Sequence, residues 1–372
     1  MELSGAITEK RREKKMKRSF KYLVPIIISV FLLSLPVAAE VKFGGEVKTG
    51  FTATSVENSG FYYDLYEQLK LEIFVPETGN TEARIEADFT VPGGPGFKKL
   101  YLKHRFKEMD LTIGRQPVSW SFGSLVNPVD YSLGAEAMNE EGSAKYVDGI
   151  EAFIPLNWNS NISLVSSFPG TSFDSDRVKF GLRGRTLINN NFDVSANYVQ
   201  DQYKDTFDTI IDRRFGVTVK GDLDPLGIYG AFGYYSDDNG ESDLAYLAGC
   251  DYSFLRNNNN RVYLQGEVLR VKKQRVSDML HEMPLNISNA DEELTLLFGN
   301  ASYGINQFSE AGLMTAYCLN DGGLALMPRY QNQLGSNLTM ELKGLFTLAS
   351  DQALFYSDFY NSVVGVELSY PF

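Results

Sequence analysis

Between Val41 and Phe372, apolar and polar side chains alternate in short runs, and this period of two constrains the fold more than any other feature of the chain. In Thr81 to Val91, Ala83, Ile85, Ala87, Phe89 and Val91 fall on one side, and Glu82, Arg84, Glu86, Asp88 and Thr90 on the other. Successive strand residues point to opposite faces, so such a run is a strand with one apolar and one polar face. The pattern also sets Val178, Phe180 and Leu182 against Lys179, Arg183 and Arg185, and Phe215, Val217 and Val219 against Arg214, Thr218 and Lys220. Eighteen such runs can be counted, with sixteen as the alternative. Each is about 10 to 13 residues long, enough to cross a bilayer at a tilt of roughly 45°.

The connections fall into two classes. Those after even-numbered runs are short, as at 76–80, 189–191 and 335–337, whereas several after odd-numbered runs are long, at 120–143, 272–292 and 349–361. An outer-membrane barrel has this asymmetry, with short periplasmic turns and longer external loops. Lipid offers no partner to exposed backbone groups, so a spanning sheet must close on itself. The expected fold is all-β: a transmembrane antiparallel up-and-down β-barrel of about 18 strands over residues 40–372, as a single domain. A soluble periplasmic β-sandwich or propeller is the rival, but it explains neither the loop asymmetry nor the aromatic C-terminus.

Composition agrees with this. The mean hydropathy of -0.20 excludes a bundle of membrane helices, yet it suits a barrel in which every second strand residue faces water. Aromatic residues, 13% of the chain, have a place in girdles at the two interfaces; Trp158, Tyr101, Tyr252, Tyr370 and Phe372 are the candidates. Residues 1–39 read as a secretory signal peptide, with basic Lys17, Arg18 and Lys21, an apolar stretch from Leu23 to Leu35, and small residues at Val37, Ala38 and Ala39. The residues before Met16 are superfluous to that pattern, which makes Met16 a candidate start; a single N-terminal membrane anchor is the alternative. Removing the segment takes away eight basic and three acidic residues and moves the net charge from -12 to -17. Such acidity argues against nucleic-acid binding, which relies on Lys and Arg.

The final run, Ser362 to Phe372, puts Val364, Val366, Leu368, Tyr370 and Phe372 on one face. An alternating strand ending in Phe resembles the assembly signal of Gram-negative outer-membrane porin-type barrels, and it implies the barrel-assembly machinery as a partner through Phe372. Residues 111–132, from Gly114-Arg115-Gln116 through Trp120, Gly123 and Asn127-Pro128 to Asp130, resemble a signature of alginate-export-like large outer-membrane channels. The alginate substrate is not carried over, because nothing else in the chain supports a polyuronate path.

A barrel of 16 to 18 strands holds an aqueous channel, and the first strand begins directly after the signal, without a plug domain. Passive diffusion of ions and small hydrophilic solutes is the expected function. A non-channel barrel with a structural, adhesion or envelope-attachment role is the alternative. The third external loop of porins often narrows the lumen, so 120–143 is the expected constriction. Arg115, Asp130, Glu136, Glu140 and Glu141 are its candidate residues, opposite lumen-wall cations Lys70, Arg84, Lys103, Arg105, Lys179, Arg183, Arg185 and Arg214. The competing reading leaves those acids on a solvated surface, with Arg115 tying the loop to the wall.

In 272–292, Lys272, Lys273 and Arg275 form a basic cluster that would meet lipopolysaccharide phosphates at the outer rim; a solvated loop is the plainer reading, with Glu282, Asp291, Glu292 and His281 nearby. Outer-membrane lipid, lipopolysaccharide and small hydrophilic solutes are thus the expected partners, and a homotrimer is an open option. Enzymatic activity is not expected. The two histidines, His104 and His281, sit beside no G-x-S-x-G nucleophile motif, and no metal-ligand cluster or cofactor fingerprint appears. Cys250 and Cys318 have opposite inferred facing, so no disulfide is expected between them.

Overall fold

The computed structural model describes residues 41–56, 60–120, 122–133, 146–168, 177–204, 209–256, 260–280, 283, 285–356 and 362–372. The segment read as an export signal lies outside the described residues. Eighteen strands follow in chain order: β1 (Lys42–Val56), β2 (Gly60–Thr78), β3 (Thr81–Val91), β4 (Gly94–Arg105), β5 (Asp110–Pro117), β6 (Tyr146–Pro155), β7 (Ser160–Ser167), β8 (Val178–Ile188) and β9 (Phe192–Lys204). The second half comprises β10 (Thr209–Leu223), β11 (Leu226–Asp237), β12 (Ser242–Arg256), β13 (Asn260–Lys272), β14 (Glu293–Asn306), β15 (Ser309–Cys318), β16 (Leu324–Gln333), β17 (Thr339–Leu348) and β18 (Ser362–Pro371). Among the described residues one helix, α1 (Lys273–Met279), follows β13.

Each strand pairs antiparallel with the next, as in Lys70 opposite Asp88 between β2 and β3. β1 then pairs with β18 from Glu46 opposite Pro371 to Ser55 opposite Ser362. That last ladder closes the sheet. Beyond β18, Phe372 exchanges two backbone hydrogen bonds with Gly45, of 3.0 and 2.9 Å. The terminal residue therefore completes the seam.

Closure gives the wall two faces. Val47, Phe51, Leu100, Ile113, Phe180, Phe215, Leu264 and Val364 all lie exposed on the outer one. A surface this apolar is stable only against lipid, so the barrel spans a membrane. Trp158 is fully exposed in the β6–β7 turn, and Tyr252, on the face of Cys250, points outward as a girdle residue should. Tyr101 does not: it sits directly opposite Arg84 on the polar face. Runs two residues apart share a face, and Leu100 and Leu102 on either side of Tyr101 take the lipid.

One irregularity changes the inner face. The register between β3 and β4 shifts, pairing Glu86 with Lys99 but Ala87 with Phe97. A bulge of this kind sets two residues against one. Lys98 and Lys99 consequently both meet inner-face acids, Asp88 at 3.0 Å and Glu86 at 2.5 Å.

Inside the barrel, three connections from the long-loop end fold inward and share an apolar core. Leu125, Val126 and Val129 from the β5–β6 connection join Val276, Met279 and Leu280 from α1 and its C-terminus, and Leu354 and Phe355 from the β17–β18 connection. The wall meets them with Ala245, Leu247, Leu269, Val271, Leu294 and Leu296, all buried. Here both faces of the sheet are apolar. A strand covered on both sides reads as a near-continuous apolar run rather than an alternating one, as in Leu294 to Phe298.

Candidate functional site in the barrel lumen

The β5–β6 connection is seated on the inner wall by glycines. A side chain at Gly181 would come within 2.6 Å of Tyr131 and 2.7 Å of Trp120, and one at Gly216 within 2.6 Å of Val129. Gly216 lies directly opposite Gly233 on β11, whose own Cβ position is 3.0 Å from Val129. Removing the side chains at adjoining wall positions is what lets the loop backbone lie close to the sheet.

Polar groups on the wall then satisfy that backbone. Asn197 donates to the Val129 carbonyl at 2.7 Å, Gln265 to the Gly123 carbonyl at 2.9 Å, and Tyr235 to the Pro128 carbonyl. Arg214 donates to the carbonyls of Asp130 and Tyr131. Glu267, only 5% exposed, accepts from the N–H groups of Leu125 and Val126 and from the Tyr229 hydroxyl. Tyr131 pairs with Ser167 at 2.6 Å and lies 3.2 Å from the Lys179 carbonyl; burial pushes its hydroxyl well above the ordinary tyrosine range, so it stays a donor. Buried backbone groups need partners, and this loop obtains them from four strands of the wall, β9, β10, β11 and β13.

The five residues expected at the constriction divide. Asp130 is fully buried, and its carboxylate accepts from Trp120 N–H at 2.6 Å, Tyr131 N–H at 2.7 Å and the Ser119 hydroxyl at 3.3 Å. It braces the loop from within and offers no charge to the lumen. Arg115 shares its face with Leu100 and Ile113, so it is on the outer side of the wall, paired across the strands with Asp148 at 2.8 Å. The expectation failed because the strand period carries Thr112 and Gln116 inward and Arg115 outward. Glu136, Glu140 and Glu141 lie outside the described residues.

The eight wall cations all share the inner face with residues such as Glu86, Gly181 and Thr218. Most are matched by a neighbour: Lys70 by Glu72 at 2.9 Å, Lys103 by Asp110 at 2.9 Å, Arg105 by Glu77 and Glu82, Lys179 by Asp201 at 3.5 Å, and Arg185 by Asp193. Arg84 lies over the Phe74 ring, 4.6 Å from its centroid. Arg214 and Lys179 meet the loop, the latter 5.1 Å above the Tyr131 ring. Five of the eight wall cations are thus paired with a carboxylate on the wall itself.

The basic cluster of 272–292 is likewise drawn apart. Lys273 is buried, and Arg275 turns inward to Asp212 at 3.0 Å and Asp243 at 3.4 Å, over the Tyr235 ring at 4.7 Å. Burial opposes the Arg275 charge, but the two aspartates outweigh it and raise its pKa. Only Lys272, 3.7 Å from Asp291, stays near the rim. His281 and Glu282 lie outside the described residues. His104 is a wall residue, 2.7 Å from the Thr81 hydroxyl and against Phe106. Cys250 and Cys318 are both free, one exposed and one buried.

Tyr235, Glu267 and the three seat glycines escaped the sequence reading. Their signal was present as glycines in phase with inward-facing positions, and as the loss of alternation near Leu269 and Leu296.

No protein-family model matches the chain, and no curated protein matches it. Solved structures do resemble it. OccAB3 of Acinetobacter baumannii aligns at a TM-score of 0.58 and 11% identity, over 90% of this chain and 99% of its own. A BenF-like porin from Pseudomonas fluorescens Pf-5 gives 0.56 and 10%, over 89% and 98%. Wzi of Escherichia coli, described as a carbohydrate-binding β-barrel involved in group 1 capsule assembly, gives 0.58 and 11%, over 89% and 84%. The fold is that of Gram-negative outer-membrane porin barrels. None of these three supports the local alginate-export resemblance of residues 111–132.

Proposed function

We propose that the protein is an outer-membrane channel through which ions and small hydrophilic solutes diffuse, its lumen narrowed by the inward β5–β6 connection. The observation that carries this is the closure of eighteen strands, wide enough for water, around an inner face that remains charged from β16 through β18 and on to β5. The buried seat of the connection favours a permanent narrowing over a flapping lid. Outer-membrane lipid and lipopolysaccharide surround such a barrel, and the assembly machinery is its partner through Phe372. Reconstitution into a planar bilayer is the direct test: stepwise conductance is expected, and none at any voltage sinks the reading.

A second reading is favoured by one observation. Three inward connections share an apolar core with the wall, which is how a barrel that attaches surface material rather than conducting would close its lumen, and Wzi shares the fold. Binding of polysaccharide without conductance selects this reading.

A further inference from the structure

We propose that the conducting path is eccentric, running over the inner wall of β17, β18 and β1 to β4, and that a belt of alternating charges there sets how the channel treats ions. The inference rests on the channel reading above. Its starting point is the uneven use of the lumen. Along β11 to β15 the inner wall is covered by the inward connections, leaving Leu269 and Leu296 at 1% and 0% exposure. On the opposite arc the inward core reaches β17 at Leu345, while the Glu72 and Lys343 side chains remain about half exposed, at 51% and 47%.

Along β17 to β1, and again along β2 to β4, the sign of charge changes from strand to strand. Lys343 of β17 reaches Glu367 of β18 at 3.3 Å, and Glu367 reaches Lys48 of β1 at 3.5 Å. Lys70 of β2 reaches Glu86 of β3 at 3.4 Å, and Glu86 reaches Lys99 of β4 at 2.5 Å. The bulge in β4 extends the row by adding Lys98 against Asp88. Neighbouring strands are about 4.8 Å apart, so opposite charges on adjacent strands cancel within a distance shorter than the roughly 8 Å screening length of physiological salt. A passing ion meets a highly polar surface with little net field. The intact belt therefore discriminates weakly by sign, and removal of one member exposes its neighbours: without Glu86, Lys70 and Lys99 lose a shared counter-charge.

The test uses the full-length protein reconstituted in planar bilayers under a potassium chloride gradient. Glu86→Gln is expected to shift the reversal potential toward anions and Lys99→Gln toward cations. Because Glu86 is buried and its loss threatens folding, a second route acts after assembly: Glu72→Cys, in a Cys250→Ser, Cys318→Ala background, modified with a sulfonate-bearing or a trimethylammonium-bearing thiosulfonate. The two reagents should move the reversal potential in opposite directions and each should lower conductance. A conducting channel that responds to neither reagent overturns the eccentric path while leaving the channel reading in place. Absence of conductance in the unmodified protein overturns both.

Discussion

Glu267 on β13 accepts the backbone N–H of Leu125, 142 residues earlier in the chain, at 2.5 Å. The same carboxylate takes the Tyr229 hydroxyl at 2.7 Å and the Gln265 amide at 3.0 Å. A charged acceptor shared by several donors binds more strongly than neutral pairs do. It fixes the middle of the β5–β6 connection to the barrel wall.

Replacing Glu267 with Gln keeps the shape but removes one acceptor and the charge. We expect a loss of about 1–3 kcal/mol, the usual penalty for leaving a buried donor unsatisfied. Hydrogen exchange checks it: the amides of Leu125 and Val126 should lose protection, while the heat-dependent gel shift of the closed barrel persists.

Gly181→Leu forces a side chain into the space of Tyr131 and Trp120. Overpacking costs about 1–3 kcal/mol, and the connection should lift from the wall. Trp158 is the other tryptophan, so in a Trp158→Phe background the emission of Trp120 should shift to the red. An unchanged spectrum means the loop has another way to sit. On the channel reading, single-channel conductance rises.

Arg275→Ala leaves Asp212 and the buried Asp243 without their cation. Breaking such a pair costs about 3–5 kcal/mol, whereas Tyr235→Phe, which removes only the bond to the Pro128 carbonyl, should cost about 1 kcal/mol. The Arg275 guanidinium stacks on the Tyr235 ring, and both variants loosen one linked unit. Denaturant unfolding of the two single variants and the double variant should therefore reveal non-additive losses.

Asp130→Asn distinguishes a brace from a selectivity filter. Because the Asp130 carboxylate is fully buried and accepts from Ser119, Trp120 and Tyr131 of its own connection, the reversal potential in a salt gradient should stay where it is while the loop becomes more susceptible to protease. A clear shift toward anions would return Asp130 to the conducting path. Arg115→Gln, on the outer face, should also leave the potential unchanged.

Deletion of Phe372 removes both backbone bonds to Gly45 at the seam. The fraction of protein reaching the heat-modifiable, membrane-inserted form should fall in cells. Gly45→Val should act alike, because a side chain there meets the Phe372 ring and the Lys70 carbonyl. Normal assembly of both variants would show that the seam closes without its last residue.

The strands were legible because their information is local. Thr81–Val91 has the limits read from its alternation, and all eight wall cations face inward as their parity requires. Arg115 was misjudged for a local reason as well: it was assigned by its motif, while its parity with Ile113 already pointed outward. The bulge at Lys98 could not be read, since Lys98-Lys99 is compatible with either lysine facing lipid until Glu86 and Asp88 are placed across from them.

By itself the sequence determined a closed sheet of sixteen or eighteen strands and which side carries the long connections, because a period of two and the ban on unpaired backbone in lipid admit few alternatives. Only the tertiary structure decided what fills the lumen. Whether a loop enters depends on partners far along the chain, such as Glu267 for Leu125 and Tyr235 for Pro128, and on wall glycines that acquire meaning only when a backbone lies over them. Such matches are set by closure in three dimensions, and no pattern within one strand encodes them.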